Sequence, residues 1–352
     1  MAQFYNLTIK SIENVTEKSV AITFEIPVDL KDTFSFKAGQ YITLKTDING
    51  EAVRRDYSIC SSKNSGDLTV AVKAVDSGTF SVYANTALKA GDTIEVAEPN
   101  GRFVFEPNEA KTRTVAAFAV GSGITPILGI AKTLLEEEPF SNFILVYGNK
   151  SSKDTMFFKD LVEMQANYGN RFHVHFIYSQ SREEGALLGR IEKSTVNLII
   201  KNKYQGVNIE AFYLCGPEAM IHTVKDTLIE NGIKEKAIFF ELFTAPVVAE
   251  NENSVEDLSG NTKIKVLVDD EDFEFEMSKE QTILEAALKQ DIDAPYSCQG
   301  GICSSCIARI TEGDAKMRQN NILTDNEVAE GLILTCQAHP TSATIVVDYD
   351  DV

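Results

Sequence analysis

Cys298-Gln299-Gly300-Gly301-Ile302-Cys303-Ser304-Ser305-Cys306, with Cys336 further on in Thr335-Cys336-Gln337, decides how the C-terminal part of this chain is read. The spacing is C-x4-C-x2-C, and 29 residues separate the third cysteine from the fourth. Four thiolates in this pattern fill the open positions of two irons bridged by two sulfides, a [2Fe–2S] cluster. Gly300 and Gly301 let the loop curl around such a group and aim its N–H groups at sulfur. Structural zinc usually takes two C-x2-C-like pairs, and only one knuckle of that kind is present. Disulfides stay open as a further reading, although nothing in the sequence suggests export.

With 352 residues the chain is long enough for two or three domains. Its hydrophobic content of 43% is ordinary for a globular protein. No run of eighteen apolar residues occurs, so no membrane span is expected. Met1-Ala2-Gln3-Phe4-Tyr5-Asn6 lacks a basic region and a long apolar region, so no secretory signal is expected. The two remaining cysteines, Cys60 and Cys215, sit in apolar contexts, which fits a reducing cytoplasm.

The formal net charge of −19 speaks against nucleic acid as a partner. The charge is uneven: −4 over residues 1–246, −4 over 247–261, and −11 over 262–352, where 7 bases meet 18 acids. An acidic C-terminal domain either steers a basic protein acceptor or simply keeps the domain in solution.

Residues 1–108 read as an all-β domain. Short strand-like runs such as Val20–Ile26, Tyr41–Leu44 and Leu68–Lys73 are separated by turn signals, the pattern of a small barrel. Residues 109–246 alternate strands (Val115–Val120, Phe143–Tyr147, Phe172–Ile177, Ala211–Cys215) with helices, the pattern of a doubly wound parallel sheet. Residues 247–261 are acidic and aperiodic, an expected linker. Residues 262–352 open with two alternating strands and a helix over 282–290, and then reach the cysteine loop.

Within this frame, Arg55-Asp56-Tyr57-Ser58 lies on a barrel strand. Tyr57 offers a plane for stacking a flavin ring, Ser58 a hydroxyl for a ring nitrogen, and Arg55 a fork for phosphate. Such a tetrapeptide also suits an ordinary strand. Val72-Lys73-Ala74-Val75 and Gly78-Thr79-Phe80-Ser81 precede a helix expected from Ser81 as N-cap, where backbone N–H groups suit a pyrophosphate. Gly121-Ser122-Gly123-Ile124-Thr125-Pro126 joins a buried strand to a helix. That is the geometry for dinucleotide phosphates, without the G-x-G-x-x-G fingerprint. Cys215-Gly216-Pro217-Glu218-Ala219-Met220 ends another strand. Cys215 is read either as a polarisable thiol beside a hydride path or as a small buried hydrophobe. In Glu241-Leu242-Phe243, Glu241 is a candidate proton relay and Phe243 a candidate cover for a ring face, each set against a packing or surface role.

Taken in order, R-x-Y-S, G-S-G-I-T-P, C-G-P-x-x-M and E-x-F resemble the ferredoxin–NADP reductase superfamily, and the cysteine loop resembles plant-type ferredoxins. Within the superfamily the chain is similar to reductases with a C-terminal plant-type ferredoxin domain, notably the reductase components of phenylacetyl-CoA epoxidases, with those of steroid hydroxylases nearby. The resemblance implies an antiparallel β-barrel for FAD, an α/β doubly wound parallel sheet for NAD(P)H, and an α+β ferredoxin-like β-grasp domain for the [2Fe–2S] cluster. It carries flavin contacts onto Arg55, Tyr57, Ser58, Val72, Lys73, Val75, Thr79, Phe80, Ser81 and Thr125. Nicotinamide contacts map onto Gly121, Thr125, Pro126, Cys215, Gly216, Pro217 and Met220. Ser58, Cys215 and Glu241 become the candidate catalytic groups. Phe243 takes the place of the aromatic that ends the plant reductases, and Cys298, Cys303, Cys306 and Cys336 become the cluster ligands.

Ser179-Gln180-Ser181-Arg182 resembles the family's site for a 2′-phosphate, and Asn149-Lys150 lacks the acid that would favour NADH. Both favour NADPH. Glu183 and Glu184 oppose it, and NADH stays open. A nicotinamide gives up two electrons as one hydride, whereas a [2Fe–2S] cluster takes one, so a flavin must stand between them. The implied route is NADPH to FAD to cluster to a partner oxygenase, a diiron phenylacetyl-CoA epoxidase-type component. Alternatives are another Rieske or diiron oxygenase, a desaturase or a hybrid-cluster protein, or a non-catalytic electron-carrier module.

Overall fold

The computed structural model describes residues 3–243 and 258–352. They divide into two compact units, 4–243 and the residues after them. The linker expected at 247–261 lies outside the described residues as far as 257. Its last residue, Asn261, already begins a strand.

Six antiparallel strands build the first domain: β1 (Phe4–Thr16), β2 (Ser19–Glu25), β3 (Tyr41–Ile48), β4 (Glu51–Ser58), β5 (Leu68–Lys73) and β6 (Thr93–Ala97), ordered β4-β3-β6-β1-β2-β5. The end strands meet where Ile59 bridges Val70 and the Cys60 N–H donates to the Thr69 carbonyl at 2.9 Å, which closes the barrel. Val20, Ile22 and Phe24 alternate inward along β2, as a two-residue repeat requires. Helix α1 (Thr79–Thr86) buries Phe80 and Ala84. It starts two residues before the expected Ser81. Gly78 is the N-cap, and the Ser81 hydroxyl instead accepts the Val75 N–H at 3.2 Å.

The second domain contains β7 (Thr114–Val120), α2 (Ile124–Glu137), β8 (Asn142–Asn149), α3 (Phe158–Tyr168), β9 (Phe172–Tyr178), β10 (Leu187–Leu188), α4 (Lys193–Asn197), β11 (Ile209–Cys215), α5 (Glu218–Glu230) and β12 (Ile238–Glu241). Its strands are parallel, in the order β10-β9-β8-β7-β11-β12. Residues 115–119 of β7, Val-Ala-Ala-Phe-Ala, are wholly inaccessible, as expected of a parallel strand covered on both faces. Strand order reverses beside β7, so the ligand crevice belongs beyond the C-terminal ends of β7 and β11.

Barrel and sheet pack as one unit. A Cβ on Gly129 of α2 would lie 2.8 Å from the Ile59 carbonyl oxygen, so helix and barrel edge touch backbone to backbone. Where the chain leaves the barrel, Arg113 grips Glu138 with two N–H donors at 2.6 and 3.1 Å. Glu138 is inaccessible to solvent, and it also accepts the Ser141 hydroxyl at 2.6 Å and the Asn108 N–H at 2.9 Å. Burial alone would raise the Glu138 pKa, but Arg113, Ser141 and the Asn108 N–H together hold it below the ordinary carboxylate range.

The C-terminal unit contains β13 (Asn261–Val268), β14 (Glu271–Ser278), α6 (Ile283–Lys289), β15 (Ile307–Glu312), β16 (Ala315–Met317), α7 (Asp325–Ala329), β17 (Leu332–Leu334), β18 (Ala338–Pro340) and β19 (Thr344–Asp348). A mixed sheet runs β14-β13-β19-β15-β17, with β13 and β19 parallel, and β16 pairs with β18. Thr282 and Glu285 form a reciprocal capping box that starts α6. Ile283, Leu284, Ala286 and Ala287 then face the core. No described helix is long and apolar enough to cross a membrane.

Candidate active site and cluster loop

The three candidate catalytic residues converge although they lie far apart in sequence. Ser58 is the last residue of β4 and is buried. Its hydroxyl donates to the Glu241 carboxylate at 3.3 Å. Glu241 ends β12 opposite Cys215, which ends β11. Glu241 keeps some exposed area but is densely surrounded by protein atoms. That burial raises its pKa to about 8, the Ser58 hydroxyl lowers it, and the Asp56 charge raises it again. Cys215 is inaccessible, and its thiol is pushed well above its ordinary value by burial and then by Glu241.

On the barrel side, Tyr57 is partly open to solvent and its ring centroid lies 5.4 Å from that of buried Phe80. Phe80 therefore fixes the tilt of Tyr57. Val72 is in the barrel core, so only its main chain can face a ligand, and its carbonyl already accepts Asn85 Nδ2 at 3.1 Å. Val75 is 63% exposed beside the turn into α1. A Cβ on Gly78 would strike the Ser81 hydroxyl, so the loop comes close to the helix start, whose first N–H groups have no helical acceptor. Arg55 and Thr79 are exposed, and Arg55 Nη1 donates to the Arg54 carbonyl at 2.6 Å. An aromatic plate, a buried hydroxyl and a helix start cut close by glycine fit a flavin with a pyrophosphate.

At the switch point, Gly123 cannot carry a side chain, because its Cβ would overlap the Cys215 carbonyl. The first turn of α2 is thereby pressed backbone to backbone onto the end of β11. Thr125 and Pro126 are buried, and the Thr125 hydroxyl donates to the Ser122 carbonyl at 3.0 Å. The Tyr147 hydroxyl donates to the Gly121 carbonyl at 2.8 Å and steadies the loop. Lys73 Nζ lies 3.8 Å from where a Gly121 Cβ would sit, so this barrel lysine reaches the dinucleotide loop. Burial lowers the Lys73 pKa, Asp154 raises it, and Lys150 lowers it. Nothing in the sequence marked that juxtaposition. Met220 is buried under Gly216, and Pro217 is exposed. Ser179 bonds back to the Asn149 carbonyl at 3.3 Å, and Arg182 is exposed. Phe243 is 39% exposed at the end of the unit.

In the C-terminal unit the four candidate thiols gather. Cys298 contacts Cys303 and Cys336, and Cys336 contacts Cys306. These contacts, with the N–H groups of Gly300 and Ile302, pull the Cys298 thiol well below its ordinary range. The Gly300 N–H points at Cys298 Sγ from 3.3 Å. Gln299 and Gly301 take left-handed φ angles of 51° and 71°, which curl the loop. Cys303, Cys306 and Cys336 are buried, Cys298 less so, and no disulfide joins any of the six cysteines. No three His, Cys, Asp or Glu side chains among the described residues close around a single-ion position, whereas a [2Fe–2S] centre spreads its thiolates over two irons. Two buried hydroxyls nearby, Ser297 Oγ and Tyr349 OH, complete no hydrogen bond. Four thiols, inward N–H groups and spare donors fit a cluster whose sulfurs accept hydrogen bonds.

Residues 6–105 match the oxidoreductase FAD-binding domain family, 118–226 the oxidoreductase NAD-binding domain family, and 266–341 the 2Fe-2S iron–sulfur cluster binding domain family. The chain is 37% identical, over 99% of both sequences, to a subunit of 1,2-phenylacetyl-CoA epoxidase from Escherichia coli K12. It belongs to the ferredoxin–NADP reductase superfamily, among the reductases that carry a C-terminal [2Fe–2S] ferredoxin domain. This reductase is also 30% identical to the ferredoxin reductase component of 3-ketosteroid-9-alpha-monooxygenase from Rhodococcus rhodochrous, over 97% of the chain and 96% of that relative. Phthalate dioxygenase reductase shares its fold, with a TM-score of 0.62 at 24% identity over 98% of each chain. The reductase is an NAD(P)H-dependent oxidoreductase in which electrons pass through FAD to the [2Fe–2S] domain.

Proposed function

We propose that this reductase draws electrons from NADPH and delivers them to an oxygenase component of the phenylacetyl-CoA epoxidase type, in phenylacetate catabolism. The full-length identity of 37% to a component of that epoxidase is the observation that carries this reading. An acceptor of the 3-ketosteroid monooxygenase type is the second reading, favoured by the 30% identity to its reductase component. The cytoplasm is the proposed setting, because four thiolates committed to iron and two buried thiols suit a reducing compartment.

When bound, flavin supplies the conversion between one hydride and two single electrons. The chain's own residues do the rest. Tyr57, braced by Phe80, holds the ring plane, and the Ser58 hydroxyl addresses a ring nitrogen. Ser81 shapes the turn, and the N–H groups at Thr79 and Phe80 take the pyrophosphate. Gly121, Gly123 and Gly216 let backbone approach the dinucleotide, with Lys73 as a cation beside the Gly121 loop. Cys215 fills the floor and keeps water out. Glu241 holds or releases a proton at its carboxylate, relayed through the Ser58 hydroxyl. Ser179 and Arg182 take a 2′-phosphate. Cys298, Cys303, Cys306 and Cys336 hold the cluster.

Rapid-mixing reduction by NADPH and NADH, followed by reconstitution with purified epoxidase and monooxygenase components, tests the whole reading. Turnover with the epoxidase component at a rate matching cluster reoxidation is expected. Cluster reoxidation only by the ketosteroid component would overturn the first acceptor in favour of the second.

A further inference from the structure

Gln337 follows directly on Cys336, and its side chain crosses to the other half of the cysteine loop. Its Nε2 donates to the Gln299 carbonyl at 3.0 Å. That carbonyl and the Gly300 N–H belong to one planar peptide unit and leave it in opposite directions. The Gly300 N–H in turn donates to Cys298 Sγ at 3.3 Å. One peptide is thus held at both ends, by an amide beside the last of the four cysteines and by the sulfur of the first.

The bracing side chain is itself fixed. The Gln337 N–H donates to the Leu334 carbonyl at 2.8 Å, and the Gln337 carbonyl accepts the Arg318 N–H at 2.9 Å. Its stem lies over the loop, where a Cβ on Gly301 would come within 3.0 Å of Gln337 Cγ. The peptide needs such a brace. Gln299 has a φ of 51°, a left-handed conformation that a residue other than glycine keeps only where its surroundings hold it. Hydrogen bonds in series also strengthen one another, so a donor on the carbonyl polarises the peptide and makes its N–H the better donor to sulfur.

We propose that Gln337 is a positioning residue for the cluster: through the Gln299–Gly300 peptide it holds an N–H on the Cys298 thiolate, and it thereby raises the cluster's reduction potential. The proposal rests on the reading of the four cysteines as cluster ligands. A donor to ligand sulfur stabilises the reduced, more negative centre more than the oxidised one. Gln337 acts at two removes from iron, and it ties the segment of the fourth ligand to the loop of the first.

Gln337→Met in the full chain keeps the length of the side chain and removes the donor. With iron and acid-labile sulfide content unchanged, an EPR-monitored titration should show a potential lowered by about a threefold shift of the one-electron equilibrium, roughly 28 mV. A loop merely loosened would admit water, which favours the more negative reduced centre, and the potential would rise instead. Pulsed EPR of the reduced chain, labelled with 15N-glycine, reads the N–H on sulfur directly, and its nitrogen coupling should weaken in the variant. An unchanged or raised potential, or an unchanged coupling, would overturn the proposal. Should Gln337→Met hold no cluster, Gln337→Asn decides, because its amide is one methylene too short for the Gln299 carbonyl: a lowered potential supports the brace, and an unchanged or raised one rejects it. Loss of the cluster in both variants rejects it in favour of a purely structural role. A wild-type chain without acid-labile sulfide would remove the cluster reading itself, and this proposal with it.

Discussion

The Ser58 hydroxyl and the Glu241 carboxylate, 183 residues apart in the chain, meet at 3.3 Å. One ends a barrel strand and the other ends the edge strand of the parallel sheet. The contact joins the flavin side of the site to the nicotinamide side, and it places a carboxyl with a pKa of about 8 between them. Flavin reduction by NADPH should therefore change with pH near that value. Glu241→Gln should flatten the profile, and Ser58→Ala should lower the rate about tenfold, roughly 1.4 kcal/mol. Stopped-flow bleaching from pH 6 to 9 reads both.

Stability should carry the same signature. The folded pKa of Glu241 lies above the unfolded value of about 4.3, so its neutral form favours the fold. That contribution is complete below about pH 4.3 and is lost as pH rises to about 8. Thermal unfolding of Glu241→Gln should lack this decline, and an identical pH slope in both chains would exclude it.

Glu138 runs the other way. Its folded pKa is depressed, so it stabilises above the ordinary carboxylate value and ceases to do so as pH falls through the lowered one. Glu138→Gln removes the nearer of the two carboxylates that meet Arg113, with Glu210 still 3.4 Å from its Nη1, and should cost about 1–3 kcal/mol, measured by denaturant unfolding.

Gly123→Ala drives a methyl group into the Cys215 carbonyl. Overpacking of this kind costs about 1–3 kcal/mol. The KM for NADPH should rise more than the flavin content falls, because the displaced turn belongs to the dinucleotide loop.

Cys306→Ser should abolish the cluster's EPR signal and electron delivery to a protein acceptor, while flavin bleaching by NADPH stays within about twofold of the native rate. Loss of flavin bleaching in this variant would argue that the two units do not work in series.

The cysteine spacing and the strand–glycine–helix run at Gly121 were legible because each is mostly local: three of the four cysteines, and all the turn residues at Gly121, lie inside a single loop. Strand β1 was not, because bulges between Ile9 and Ser11 and between Asn14 and Thr16 break its alternation. The start of α1 was misplaced because Ser81 has the chemistry of a cap, yet spends its hydroxyl on Val75. Lys73 beside Gly121 depends on how the barrel docks on the sheet, which no linear pattern encodes.

The touch of Gly129 on the Ile59 carbonyl, together with the Arg113–Glu138 grip, bears on how such proteins can be rebuilt. A swap of the barrel alone, or of the sheet alone, would bring foreign backbone to a seam that has no slack. The boundary between the two compact units falls after residue 243, so a chimera cut there leaves that seam whole, whereas one cut near residue 108 does not.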